Sequence, residues 1–227
     1  MVRLNRLTDA ALALFYPRRA ECMGRGSKAG FARDWLCEDC RQALARRWTG
    51  AAPSPRGGKF DGAAFAYRYG GPAGGLVRNL KYRGVYRLAE SMGRSMVSAL
   101  ETIQPTGADC VVPVPMHPKR LKERGFNHAE ALAREVAGRA GLPLENALVR
   151  VRDTRQQARL SENERLKNMD GAFAVSRPVE GRRVLLLDDV CTTGATANAC
   201  AGALRAGGVE AVYLLCFAVA KVGDEEN

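Results

Sequence analysis

The residues best suited to chemistry are two adjacent acids, Asp188 and Asp189, which follow the apolar run of residues 184–187. Two neighbouring carboxylates can accept hydrogen bonds from a vicinal diol or hold Mg²⁺ through water. A small-residue loop that leads into a helix lets backbone N–H groups and the helix dipole hold a phosphate. The acids and the loop therefore predict a site for a ribose 5-phosphate. The loop that follows the acids consists of Thr192, Thr193, Gly194, Ala195 and Thr196.

Two other phosphate-binding patterns do not fit this chain. The P-loop pattern is absent, because Pro53 stands where its first glycine would precede Gly58 and Lys59, and Phe60 follows the lysine. The stretch GRGSKA at residues 24–29 loosely matches a dinucleotide fingerprint, but no strand precedes it. The remaining alternative is that the two acids only cap a strand. Because a phosphate-type loop directly follows the acid pair, we favour a ligand site over a strand cap.

Alternating strands and helices must position this site. Apolar strands are predicted at residues 63–69, 108–115, 182–189 and 209–220, and helices at residues 73–82, 86–101, 126–141 and 195–208. Strands that are apolar throughout and alternate with helices predict an α/β fold, in which a parallel sheet carries helices on both faces. In such folds ligands bind beyond the carboxyl ends of the strands, where Asp188 and Asp189 fall.

Composition and charge limit the class of protein. The chain has 227 residues, 46% hydrophobic residues and a net charge of +11, and residues 1–60 hold 12 Lys/Arg against 5 Asp/Glu. The excess charge indicates a polyanionic partner or a basic solvated surface. The apolar stretch at residues 10–15 is too short to span a bilayer. We therefore expect a cytoplasmic protein without membrane insertion.

The chain divides by composition into three parts. A Pro/Gly-rich stretch at residues 51–61 predicts a linker between a basic N-terminal module, residues 1–50, and a main domain, residues 62–227. In the N-terminal module basic residues are interleaved with Trp35 and Trp48, a composition that suits single-stranded nucleic acid and equally a solubilising stripe.

The N-terminal module also contains three cysteines. Cys37 and Cys40 form a C-x₂-C knuckle, and Cys22 lies upstream. A structural zinc site normally has four ligands, so these three form an incomplete set, and an oxygen ligand would have to come from Glu21 or Asp34. Without zinc, residues 18–48 would either be held together by Phe31, Trp35 and Leu36 or be loosely ordered.

The motif VLLLDDVCTTGAT resembles the 5-phosphoribosyl-1-pyrophosphate (PRPP) motif of type I phosphoribosyltransferases. Three further blocks, LVRNLKYRG at residues 76–84, VPVPMHPKRLKERGFNHAEALA at 112–133 and TRQQARLSENERLKNMDGAF at 154–173, are similar to those of the ComF family, known from natural competence. So is the N-terminal LALFYPRRAEC with LCEDC. The resemblance extends over nearly the whole chain and implies the type I phosphoribosyltransferase fold.

The resemblance also implies roles for individual residues. Asp188 and Asp189 would bind the ribose hydroxyls, and the loop from Thr192 to Thr196 would bind the 5-phosphate. The implied pyrophosphate-binding residues are Lys81, Tyr82, Arg83 and Gly84. A flexible loop that closes over the reacting centre would include Arg155, Gln156, Gln157 and Arg159. The implied cofactors are Mg²⁺, bound with PRPP, and Zn²⁺ in an N-terminal ribbon, where Arg19 or Arg25 replaces the missing cysteine.

Two functional classes remain open. One is an enzyme that transfers ribose 5-phosphate from PRPP to a nitrogenous base. The other, which we favour, is a PRPP-binding accessory protein of DNA uptake whose partners are single-stranded DNA or the uptake helicase machinery. No side chain is assigned as a catalytic base. We expect His117 to face the cleft, Asn127 and His128 to cap a helix, and Cys191 to pack rather than react.

Overall fold

The structure is a computed structural model, and it describes residues 21–27, 35–46, 58–83, 87–101, 107–152, 169, 171–179 and 183–220. Its strands are β1 (Gly62–Arg68), β2 (Cys110–Pro113), β3 (Leu148–Arg150), β4 (Phe173–Val175), β5 (Arg183–Cys191) and β6 (Ala211–Val219). Its helices are α1 (Glu38–Ala45), α2 (Gly71–Arg83), α3 (Leu88–Leu100), α4 (Pro118–Arg124), α5 (His128–Ala140) and α6 (Ala195–Ala206).

Four parallel strands form the central sheet, in the order β1-β6-β5-β2. The last ladder pair between β2 and β5 joins Pro113 to Leu187, whereas β5 continues beside β6 as far as Cys191. Strand β5 therefore extends beyond the carboxyl end of its neighbour β2. The two acids lie on this extension, which confirms the predicted position of the acid pair at the carboxyl edge.

Both faces of the sheet are buried. Successive side chains of a strand point to opposite faces, so neighbouring residues of one strand belong to different cores. Leu185 and Leu187 of β5 belong to an apolar core shared with α2, α3 and α5. Val184 and Leu186 belong to a second core, shared with α6, on the other face. This arrangement confirms the predicted parallel sheet with helices on both faces.

Four elements were not predicted from the sequence. Helix α1 begins directly after Cys37 and contains Cys40, and helix α4 occupies the basic segment after the predicted strand at residues 108–115. Strands β3 and β4 form a separate two-stranded antiparallel sheet, in which Leu148 pairs with Val175. These strands have three residues each, too few for their alternation to stand out in a sequence.

The cysteine-containing segment packs directly on helix α2. Asn79 Nδ2 donates to the carbonyl of Met23 at 2.8 Å, and Arg83 Nη1 lies 3.5 Å from Glu21 Oε2. Positions four residues apart lie on one face of a helix, so this face of α2 carries the segment. Helix α2 thereby connects the cysteines to the cleft described below.

The predicted domain boundaries remain predictions, since residues 51–57 of the predicted linker lie outside the described residues. None of the helices in the described part of the chain is long and apolar enough to cross a bilayer.

Candidate functional site

A cavity of about 380 Å³ opens at the carboxyl ends of the central strands. Its volume lies within the range of pockets that bind small molecules, 300–1,000 Å³. The structure brings the acid pair, the loop after it and part of the predicted pyrophosphate segment to this one cavity. The predicted residues that line it are Lys81, Tyr82, Asp188, Asp189, Thr192, Thr193, Gly194, Ala195 and Thr196.

The loop turns sharply into helix α6 at Gly194. This residue has φ +76°, in the left-handed region that favours glycine, and it is the N-cap of α6. Thr193 Oγ1 accepts a hydrogen bond from Ala195 N at 3.4 Å. The first turn of a helix has N–H groups without intrahelical partners, and here that turn lines the cavity. The loop can therefore present backbone donors to an anion.

Asp188 is half-buried at the end of β5. Its Oδ1 accepts a hydrogen bond from the backbone N–H of Asp189 at 2.8 Å. Burial raises the pKa of Asp188 to about 7, the negative charge of Asp189 adds to the rise, and the positive charge of Lys81 opposes it. The carboxyl group of Asp188 therefore changes its charge near neutral pH.

Asp189 is almost fully buried, with 2% of its surface exposed. Lys81 Nζ lies 2.8 Å from its Oδ2, and His128 Nε2 lies 3.1 Å from the same oxygen. Neither contact has the alignment of a hydrogen bond, so Oδ2 is a buried acceptor without an aligned donor among the described residues. Burial lowers the pKa of Lys81, but the charge of Asp189 outweighs burial and the pKa is raised overall. Lys81 is therefore a cation.

His128 is a site residue whose role sequence reasoning missed. Asn127 caps helix α5 as expected, because its Oδ1 accepts from Ala129 N at 3.1 Å. His128 is the first residue of that helix and does not cap it; its ring is buried and contacts Asp189 instead. Burial lowers the pKa of His128 to about 4, against the opposing charge of Asp189. The imidazole is thus neutral at physiological pH.

Three arginines that were not assigned to the site also line the cavity: Arg120, Arg124 and Arg150. The guanidinium carbon of Arg124 lies 5.1 Å from the centre of the Tyr82 ring, which is 71% exposed. The basic run at residues 117–125 was a signal for the first two. No local signal marks Arg150, because β3 brings it to the cavity from a distant part of the chain.

Two other predicted residues are not brought to the cavity. Arg83 points to Glu21, and His117 caps helix α4, where its Nδ1 accepts from Lys119 N at 3.3 Å. Cys191 is buried, as expected for a packing residue, although it borders the cavity. Five predicted residues lie outside the described part of the chain, so their roles stay predictions: Gly84, Arg155, Gln156, Gln157 and Arg159.

The three cysteines of the N-terminal module come together. The Sγ atoms of Cys22, Cys37 and Cys40 all lie within 4.8 Å of one another. Burial opposes ionisation of Cys22, but N–H groups that donate to its sulfur, led by that of Cys37, lower its pKa to about 7. Arg25, one of the two candidates for the missing fourth position, pairs with Asp39 at 2.5 Å. Arg19, the other candidate, lies outside the described residues.

The chain is similar in sequence to several known proteins. Residues 121–227 match the phosphoribosyl transferase domain family. The chain is 31% identical over 154 residues to the DNA utilization protein YhgH of Escherichia coli (strain K12), a match that spans 66% of this chain and 68% of the relative. It is 32% identical over 147 residues to competence protein F of Haemophilus influenzae, spanning 61% of this chain and 64% of the relative. Competence protein ComFC of Bacillus subtilis (strain 168) is 29% identical over 130 residues, 57% of this chain and 52% of the relative.

Proposed function

We propose that this chain binds PRPP and serves as an accessory factor in DNA uptake. It belongs to the ComF family of competence-associated proteins, which have a phosphoribosyltransferase-like domain. One observation supports PRPP as the ligand. The acid pair Asp188–Asp189, the phosphate-type loop and the cation Lys81 line the same cavity, although Lys81 is more than a hundred residues away in sequence.

Each part of PRPP has a complementary group in this cavity. The carboxylates of Asp188 and Asp189 accept hydrogen bonds from the ribose hydroxyls. The loop around Gly194 and the N-terminus of α6 donate N–H groups to the 5-phosphate. Lys81 provides a mobile positive charge for the pyrophosphate. The cavity thus recognises a diol and phosphates together rather than a phosphate alone.

Mg²⁺ and Zn²⁺ belong to the proposal as cofactors. The half-buried carboxyl of Asp188, which is ionised above about pH 7, fits a hydrated Mg²⁺ that accompanies the pyrophosphate. When bound, Mg²⁺ would neutralise part of the pyrophosphate charge. Cys22, Cys37 and Cys40 would hold Zn²⁺ through three thiolates. No fourth His, Cys, Asp or Glu joins them among the described residues.

The DNA-related part of the proposal is based on the names of the relatives and on charge. The relatives are named for DNA utilization and competence. Two arginines of the N-terminal module, Arg25 and Arg41, are paired with the acids Asp39 and Glu38. Arg120 and Arg124, which line the cavity, therefore offer a better binding surface for single-stranded DNA than these two do. The affinity for DNA at this surface should fall steeply as the salt concentration rises.

A second candidate function is transfer of the ribose 5-phosphate to a nitrogenous base. The size of the cavity favours it, because 380 Å³ accommodates a small-molecule ligand. In this reaction a nitrogen of the base forms a bond to C1 of the ribose, and pyrophosphate leaves with the electron pair of the broken C–O bond. Incubation with PRPP, Mg²⁺ and a panel of bases tests it: pyrophosphate release that depends on one base identifies a transferase.

Calorimetry tests the binding function. PRPP with Mg²⁺ is titrated into the wild type and into Asp188→Asn and Asp189→Asn, which keep the side-chain volume and remove the charge. Loss of a hydrogen bond to a charged group, worth about 1.5–3 kcal/mol, lowers the affinity about tenfold or more. Asp39→Asn, which alters an exposed acid outside the cavity, is the matched control. Equal affinities in all four proteins would contradict the site.

A further inference from the structure

We propose that His128 is a positioning residue, which holds the Asp189 carboxylate in place when Lys81 leaves that carboxylate for the phosphates of the ligand. The inference rests on the proposed function and assigns a role within the same site. It starts from the observation that two donors of different kinds, an ammonium and an imidazole, approach one carboxylate oxygen.

The arrangement at Asp189 is a compromise between these donors. Lys81 Nζ lies 2.8 Å and His128 Nε2 lies 3.1 Å from Oδ2 of Asp189, and the oxygen is aligned with neither. This oxygen has two lone pairs, but neither donor lies in line with one of them. When Lys81 moves away, the carboxylate can turn to His128 and form an aligned hydrogen bond.

The two donors differ in mobility. Lys81 lies in the last turn of α2, and its four-carbon side chain is 22% exposed, so the ammonium can swing toward the cavity. His128 starts α5 and is 8% exposed. Its neighbour Asn127 is fixed twice, because Oδ1 accepts from Ala129 N and Nδ2 donates to the carbonyl of Val114 at 3.1 Å. Of the two donors, only His128 is held in place by the fold.

The two donors also differ in charge. Burial keeps His128 neutral, and because a carboxylate only accepts hydrogen bonds, we place the imidazole proton on Nε2. His128 Nδ1 is buried and has no hydrogen-bond partner among the described residues, consistent with this tautomer. A neutral donor orients Asp189 without cancelling its charge. The carboxylate therefore stays a strong acceptor for ribose hydroxyls.

Lys81 and the ligand then exchange places. A carboxylate as buried as that of Asp189 needs donors at all times. In the structure Lys81 supplies the counter-charge. In the complex Lys81 contacts phosphate oxygens, the ribose hydroxyls replace it at Asp189, and His128 contacts the carboxylate in both states. His128 thus determines how well the site recognises the diol, and Lys81 how well it recognises the phosphates.

The experiment compares two phosphate esters, ribose 5-phosphate and 2,3-dideoxyribose 5-phosphate, by calorimetry in the presence of saturating Mg²⁺ and pyrophosphate, which gives Lys81 the phosphate partner that the proposal requires. They share the phosphate, and only the first has the diol. We expect the wild type to prefer ribose 5-phosphate by about tenfold, as for loss of a charged hydrogen bond. His128→Leu should reduce the preference to less than about twofold with little change in affinity for the dideoxy ester, and His128→Gln, which retains an N–H donor, should restore most of it.

Lys81→Met provides a second, independent variant in case His128→Leu does not fold. It should keep the preference for the diol, because His128 remains, while it weakens the binding of PRPP. The inference is overturned if His128→Leu keeps the full preference, if it weakens both esters equally, or if Lys81→Met loses the preference. Failure of the wild type to bind either ester contradicts the proposed function itself, which separates the two hypotheses.

Discussion

The carbonyl oxygen of Gly24 packs against the backbone of Gly75, so closely that a Cβ added to Gly75 would lie 1.8 Å from it. Gly24 is two residues beyond Cys22 of the cysteine cluster, and Gly75 is in α2, the helix that carries Lys81. The absence of a side chain at Gly75 is thus what allows the N-terminal module to pack on the helix that reaches the cleft.

Replacement of Gly75 tests this packing. Gly75→Ala should lower the free energy of unfolding by about 1–3 kcal/mol, because the methyl group would overlap a backbone atom that cannot move alone. Gly138→Ala, in helix α5 with open space around the new Cβ, should be neutral or stabilise by up to about 1 kcal/mol. Chemical denaturation measures both. Equal stability of the two variants would show that the segment does not pack on α2.

Metal analysis tests the cysteine cluster. Three thiols within 4.8 Å of one another should bind zinc at about one ion per purified chain, and Cys22→Ser should lose most of it. Because its pKa is lowered to about 7, Cys22 is readily available as a thiolate near neutral pH. Cys110→Ser, at a buried cysteine of the sheet, is the control and should keep the metal. Less than about 0.1 zinc per wild-type chain would remove the zinc site.

The half-buried Asp188 and the buried His128 should make opposite contributions to the dependence of stability on pH. Asp188 has a folded-state pKa raised to about 7 from 3.8, so its contribution favours folding at low pH and is lost as the pH rises through 7. His128 has a folded-state pKa lowered to about 4 from 6.5, so its contribution is present above pH 6.5 and is lost as the pH falls toward 4. Between pH 4 and 6.5 the two largely cancel.

Single substitutions should reveal each contribution. Relative to wild type, Asp188→Asn should lose stability on acidification from pH 6.5 to 4.5, by at most about 1.4 kcal/mol per pH unit, because His128 then acts unopposed. His128→Gln should gain stability over the same range. Denaturant unfolding at several pH values measures these differences. Variant curves parallel to that of wild type would refute the opposing titrations.

The left-handed backbone at Gly194 provides a test of the phosphate loop. Gly194→Ala should destabilise the protein by about 1–2 kcal/mol, because a Cβ is unfavourable at φ +76°, and should also weaken ribose 5-phosphate binding. Gly208→Ala is the matched control, with φ +91° and open space at the other end of α6. It should show the same kind of destabilisation without loss of affinity. A common loss of affinity in both variants would mean that the loop geometry is not specific to the ligand.

The parts of the site that a sequence can predict are those that are contiguous in it. Asp188 and the loop to Thr196 form one segment, in which apolar strand, acids and small residues follow one another, so the strand end and its chemistry were predicted together. The contact between His128 and Asp189 depends on how α5 packs against β5, across sixty residues of chain. Arg150 reaches the cavity only through the short β3–β4 pairing. Such tertiary contacts leave no periodic signal.

A crystal structure of the protein with ribose 5-phosphate tests the central claim most directly. The account predicts the ribose hydroxyls within about 3 Å of carboxylate oxygens of Asp188 and Asp189, and the phosphate at the loop from Thr192 to Thr196, close to the N-terminus of α6. A ligand bound elsewhere, or a phosphate at the acid pair with the loop empty, would contradict it.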